Sequence, residues 1–174
     1  QVIQADAASR HGLIPALGPM TDLKADLSEL IQRCKVALLD AEPTAITYSD
    51  LNDLRENHLP DSLGKSPINL YAIWCRKNGS FAWSLQYIGQ RSSSYGWSRV
   101  RQHLFHTPSG TQSKLQLVRE ALVSGQEVGI TGILVEPDFL RLSLEDELIR
   151  QATRQVGTLP WNKRSRSKVR GNGP

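Results

Sequence analysis

The sequence predicts an α+β fold, a small three-stranded mixed/antiparallel sheet in the order β-β-α-α-β-α, flanked by helices and preceded by an N-terminal helical extension. Three observations carry this. Leu70 to Cys75 and Phe81 to Ile88 are rich in aromatic and β-branched residues and are joined by Asn78-Gly79, which predicts a β-hairpin. Glu127 to Glu136 contains VGITGILV, a β-branched apolar run that predicts a central strand. Around these runs, apolar residues recur at helical rather than strand spacing.

Residues 1–20 contain two Pro, two Gly and no periodicity, which predicts an arm or linker. Residues 21–66 form the helical extension. Thr21 is the candidate N-cap of a helix to about Leu39, with Leu23, Leu27, Leu30, Ile31, Cys34 and Leu38 on its apolar face. After Pro43, Ser49 caps a shorter predicted helix from Asp50 to about His58. Pro60 and Pro67 bracket the linker into the main domain, residues 67–162. There, the hairpin is followed by a helix from about Trp97, with Trp97, Val100 and Leu104 on one stripe and Arg99 and His103, four apart, on another. Ser113-x-x-Gln116 predicts a capping box for a helix to Val123. Ser143-x-x-Asp146 predicts another, for a helix to about Val156 with Glu145 in its first turn. The glycines of the central strand predict that a helix or the hairpin packs closely over it. Residues 163–174 form a basic tail.

No apolar run approaches the ~18 residues that span a bilayer, and no secretory signal opens the chain, so a soluble protein is expected. Cys34 and Cys75 are expected to be buried thiols rather than a disulfide or metal knuckle. The absence of a starting Met points to a trimmed chain or the end of a longer polypeptide. The net charge of +4 hides an asymmetry: residues 1–61 hold five Lys/Arg against ten Asp/Glu, and residues 62–174 sixteen against seven. A positive half of this size favours a polyanionic partner, because each neutralised phosphate releases condensed counterions.

Five short elements in the basic half occur in a recognisable order: Asn69-Leu70-Tyr71, Tyr87-Ile88-Gly89, Arg99-x-x-x-His103, Glu145-Asp146-Glu147-Leu148-Ile149-Arg150 and Pro160-Trp161-Asn162. Over residues 69–162 the chain resembles the GIY-YIG nucleases. Asn69 stands where that family has the Gly of its first motif, Gln90 stands where many members carry Lys, and the interval between Tyr71 and Tyr87 is longer than usual.

The resemblance implies a metal-dependent phosphodiester hydrolase acting on DNA. Tyr71 is the favoured base that activates water, Tyr87 the orienter, and Arg99 the two-donor clamp on the scissile phosphate. His103 bonds the phosphate or a tyrosine hydroxyl, or takes a proton itself. Glu145 is the single carboxylate ligand of Mg²⁺ or Mn²⁺, and Asn162 bonds Glu145 or nearby backbone. Arg91 and Arg101 stand in for the missing Lys and contact DNA, and Lys163, Arg164, Arg166, Lys168 and Arg170 form either a phosphate-gripping arm or a solvated end. Because shared chemistry needs both phenols on one sheet face, the hairpin is expected to close through a three-residue loop, Lys77 to Gly79, or an equivalent bulge. With that loop Gly79 is left-handed and Tyr71 lies opposite Leu85.

The motif endings are most similar to the family's small restriction endonucleases, which implies a cytoplasmic homodimer in a bacterial or phage-related setting. A DNase toxin domain of an interbacterial effector, delivered into a target cell and paired with an acidic immunity protein, is the alternative. A catalytically inert DNA-binding module and an RNA nuclease are further readings.

Overall fold

A computed structural model describes residues 25–107 and 113–162. It is an α+β fold around a four-stranded antiparallel sheet in spatial order β1-β4-β2-β3, formed by β1 (Thr44–Ile46), β2 (Leu70–Lys77), β3 (Ser84–Gln90) and β4 (Gln126–Ile133). Helices α2 (Gly96–Leu104) and α3 (Leu115–Val123) cover one face, and α1 (Ser28–Leu39) and α4 (Arg141–Val156) the other. β2 alternates between two cores. Tyr71, Ile73 and Cys75 meet Val100, Leu104 and Val118, while Leu70, Ala72 and Trp74 meet Leu38, Leu144 and Leu148. A strand buried on both sides needs an unbroken apolar run, which is what LYAIWC supplies.

The strand count expected from the sequence is one short. Thr44-Ala45-Ile46 pairs with Val128 to Ile130, yet three residues after a proline are too few to show strand periodicity. The helix expected from Asp50 to His58 is also absent, and a single 3-10 turn, Leu54–Glu56, stands there, capped by the Asp53 carboxylate. The reason is Asn57, only 3% exposed. Its side-chain oxygen accepts from the Ser49 and Asp50 N–H groups, and its amide donates to the Asp50 and Leu54 carbonyls, closing a loop that a helix would open.

Helix starts differ too. α1 begins at Ser28, whose N–H is taken by Asp26; Thr21 lies outside the described residues, as do the predicted arm (residues 1–20) and the basic tail. Neither expected capping box forms. Ser113 accepts from Leu115 N–H instead, and α4 starts two residues before Ser143 because the 3-10 turn Asp138–Leu140 runs straight into it. Glu145 therefore sits one turn into α4. Cys34 and Cys75 are buried free thiols.

The hairpin turn has Gly79 left-handed at φ +79, with Ser80 N–H bonded to Lys77 C=O, but the expected pairing of Tyr71 with Leu85 is wrong. Tyr71 lies opposite Gly89, and Tyr87 opposite Ile73. Residues 80–83 leave the ladder because Trp83 folds across the sheet. Its ring occupies the space where a side chain on Gly129 would stand, 2.7 Å from a Cβ there. It stacks under the Arg76 guanidinium at 4.3 Å and donates its indole N–H to Glu42. Gly132 likewise faces Ile68, so both β4 glycines make room for close neighbours, the hairpin among them.

Asn69 is a buried strut. Its amide donates to Val135 C=O and to the Asp138 carboxylate, and its oxygen accepts from Val135 N–H. Asp138 in turn accepts from Ser93 N–H, so one side chain fixes the exits of β3 and β4. Asn69→Ala, which orphans Val135 and Asp138, is expected to cost about 3 kcal/mol and lower Tm by about 8 °C; a melt within about 2 °C of the parent would contradict this role.

Candidate active site

Whether two strand tyrosines can share a site is decided by parity. At the hairpin end the ladder pairs Cys75 with Ser84 and Trp74 with Leu85; continued unbroken, it would set Tyr87 opposite Ala72, on the far face from Tyr71. The register shifts between Ile73 and Trp74. Gln86 is the extra residue, and beyond it Tyr87 pairs with Ile73 and joins Tyr71 on the α2 face. This is the bulge equivalent to the expected loop, at another position. The ring centroids stand 6.2 Å apart.

The bulge is held from outside. Trp161, buried in the core under α2 and α3, donates its backbone N–H to Gln86 C=O, while the Asn162 side chain accepts from Ile88 N–H and donates to Ile88 C=O, each at 2.8 Å. Asn162 thus pairs with the edge of β3 as a neighbouring strand would. It meets backbone rather than Glu145, and acts as a positioning residue for Tyr87 rather than as a lining group of the cleft.

Gly89 allows the two rings to meet. A Cβ there would fall 2.5 Å from the Tyr87 ring and 2.9 Å from that of Tyr71. At the start of α2, Gly96 lets the helix backbone press on Ile68, where a Cβ would stand 2.0 Å from the carbonyl oxygen. α2 is thereby held close enough for its side chains to reach the phenols.

His103, fully buried on α2, contacts the Tyr71 hydroxyl through Nε2 at 3.1 Å. Its Nδ1 accepts from the Lys114 backbone N–H at 2.9 Å, so the ring proton resides on Nε2 and is donated to the Tyr71 oxygen. Burial first, then the charges of Arg99 and Lys114, lower the imidazole pKa to about 3. His103 is a neutral donor here, not a proton acceptor. Arg99 lines the cleft with Tyr71, where its charge opposes the rise in the phenol's pKa, and it donates to Gln102. Burial, then Tyr87, hold the Tyr71 hydroxyl well above its usual pKa, with Arg99 opposing; burial, then Glu145, raise that of Tyr87.

Glu145 completes the group. It lines one cleft of about 490 Å³ with Tyr71, Tyr87, Gln90, Arg91 and Arg99. Burial, then Asp146, raise the pKa of its carboxylate to about 7, with the Gln90 backbone N–H opposing. Among the described residues Glu145 belongs to no ion pair. A partly buried carboxylate beside a second acid, facing a polar cleft, fits a hard divalent cation completed by water and phosphate oxygens. Among the described residues no group of three or more His, Cys, Asp or Glu converges as an all-protein cage.

Of the sequence-predicted residues, Tyr71, Tyr87, Arg99, Glu145 and Arg91 meet at this cleft, and His103 stands behind Tyr71, bonded to its hydroxyl. Arg101 instead faces the other side of α2, and Lys163, Arg164, Arg166, Lys168 and Arg170 lie outside the described residues. Lys114 and Tyr95 were not anticipated. Lys114 orients His103 through its backbone and lies 4.9 Å over the Tyr87 ring, a role set by a loop return that leaves no local sequence signal. Tyr95 is an exposed aromatic in a 3-10 turn at the cleft wall. Comparison of the chain with family models, curated proteins and solved structures gives no match.

The Glu145 shift has a sign that can be checked. With a folded pKa of about 7 against a reference value of 4.5, stability is fully present below the unfolded value and is lost as pH rises through the folded one. In EDTA, Glu145→Gln should be more stable than the parent by about 2 kcal/mol at pH 8, after allowance for partial exposure, and no more stable at pH 4. An equal difference at both values would show that Glu145 is not desolvated.

Proposed function

We propose that this chain is a metal-dependent endonuclease of the GIY-YIG type that hydrolyses DNA phosphodiester bonds, most similar in its motif endings to restriction enzymes. The supporting observation is convergence. Side chains from β2, β3, α2 and α4 meet in one cleft, in the basic part of the chain. Packing alone gives no reason to aim two phenols, a guanidinium and a partly buried carboxylate at the same space.

The chemistry follows from who donates to whom. Tyr71 receives a hydrogen bond from His103, and the Arg99 charge beside it opposes the rise that burial imposes on its pKa, so two groups are placed to hold its anion, and Tyr71 is the base and Tyr87 the orienter. Burial keeps Tyr71 protonated, and positive charge arriving in the cleft drives its phenolic proton out to solvent, leaving the phenolate as the acting form. The Tyr71 oxygen takes a proton from water, the hydroxide oxygen bonds to phosphorus in line, and the opposite P–O bond breaks, its alkoxide taking a proton from solvent. Arg99 donates to the non-bridging oxygens as charge grows there. Glu145 would hold Mg²⁺ or Mn²⁺, which supplies positive charge beside the scissile phosphate when bound.

Plasmid DNA incubated with Mg²⁺ or Mn²⁺ should be cut by the parent, while Glu145→Gln and Tyr71→Phe should each lose at least about 100-fold in rate. Discrete fragments correspond to restriction and a smear to a toxin. No cleavage of DNA under any divalent ion would overturn the reading in favour of an inert binder, or of an RNA nuclease if RNA is cut. Gly89→Ala should keep the fold but cost about 100-fold, because its Cβ drives the phenols apart; near-parent activity would mean their spacing is irrelevant.

A further inference from the structure

A second cavity, larger than the cleft, flanks α2. A groove of about 710 Å³ lies on the other side of α2, between that helix and the segment Arg55 to Lys65. Ser98 and Gln102, one turn apart, line both cavities and form the wall between them. Arg99 faces the cleft and Arg101, two positions on and so nearly opposite around the helix, faces the groove. The floor is apolar, made of Leu59, Leu63 and Phe105. The rim carries Arg55, Lys65 and Arg101 against Asp61. Arg55 is paired with Asp53 at 2.6 Å, but among the described residues neither Lys65 nor Arg101 is in an ion pair. Gly64, left-handed at φ +82, sets its turn against the Arg101 guanidinium, 3.5 Å from where a Cβ would stand.

We propose that this groove holds phosphates of the same DNA strand on the flank of the scissile bond, so that the segment before the hairpin extends the substrate track across α2. The proposal rests on the nuclease reading for the identity of the strand. Charge complementarity and continuity with the cleft argue for it. A helix is about 10 Å across, more than the spacing of successive phosphates on one strand, so the two cavities take phosphates that are close along the strand but not adjacent. Lys65 and Arg101 contact these phosphates, and the apolar floor lies against the sugars.

Binding of a duplex of about 30 base pairs, measured in EDTA across a salt series, tests this with the parent, Arg101→Ser, Lys65→Ser, the double variant and Arg33→Ser, an exposed cation on the opposite face of the sheet. Both groove cations are exposed, and equal melting temperatures establish that the variants fold. Each groove substitution should weaken binding roughly tenfold near 0.15 M salt and reduce the salt slope by about 1, the double variant by about 2, while Arg33→Ser changes neither. A double variant indistinguishable from Arg33→Ser overturns the proposal. So does polyglutamate binding that is lost in the double variant while DNA binding is kept, which would assign the groove to an acidic protein. Groove-dependent DNA binding by a parent that cleaves nothing leaves the groove and removes the nuclease reading; cleavage by a parent whose binding ignores the groove does the reverse.

Discussion

One extra residue in an edge strand, Gln86, decides which face of the sheet Tyr87 occupies, and every contact in the cleft depends on that. Side chains alternate strictly along a strand, so without the bulge Tyr87 would lie among the residues under α1 and α4 while Tyr71 lay under α2. A bulge in an edge strand is free to slip unless something takes up its unpaired backbone. Here the last described residues do so: Trp161 captures the Gln86 carbonyl and Asn162 brackets Ile88. A motif at the far end of the chain thereby acts on the geometry of a tyrosine about 75 residues earlier through backbone pairing, without entering the cleft.

Within the cleft, burial is the largest influence on each titrating group, and the neighbours set what each can do. The imidazole is kept neutral, so its only proton is committed to Tyr71 through the backbone bond at Nδ1. The phenols are kept protonated and the carboxylate is held near neutrality. Burial thus disfavours the charged form of each of these groups, so the cleft is lined by side chains whose ionisation depends on the charges placed beside them. Arg99 and Lys114 supply positive charge to this group from α2 and from the chain entering α3.

The segment before the hairpin looks separate by composition, being acidic and proline-punctuated, but the sheet does not treat it so. β1 lies beside β4, α1 is tied to the sheet by Thr131, which donates to Leu38 C=O, and the Asn57 clamp shapes the loop that walls the larger groove. Among the described residues no helix is long and apolar enough to cross a membrane. The acidic and basic parts thus share one core, and the basic surface of the groove is built jointly from both.

What could be read from residues alone was whatever depended on local pattern: the hairpin, the central strand with its two close-packed glycines, the helix carrying Arg99 and His103, and the helix carrying Glu145. Periodicity and turn chemistry are properties of neighbouring residues, so the chain carries them openly. Register, strand β1 and the strut built by Asn69 belonged to the tertiary structure, because each is settled by a partner distant in sequence, while the loop built by Asn57 rests on partners three to eight residues away that helical periodicity does not reveal. Trp83 left the ladder for the space over Gly129, and Gln86 bulged because Trp161 and Asn162 stood beside it. The first is a competition between burying an indole and extending a hairpin, the second between a regular ladder and an edge already occupied, and neither leaves a trace in any short window of sequence.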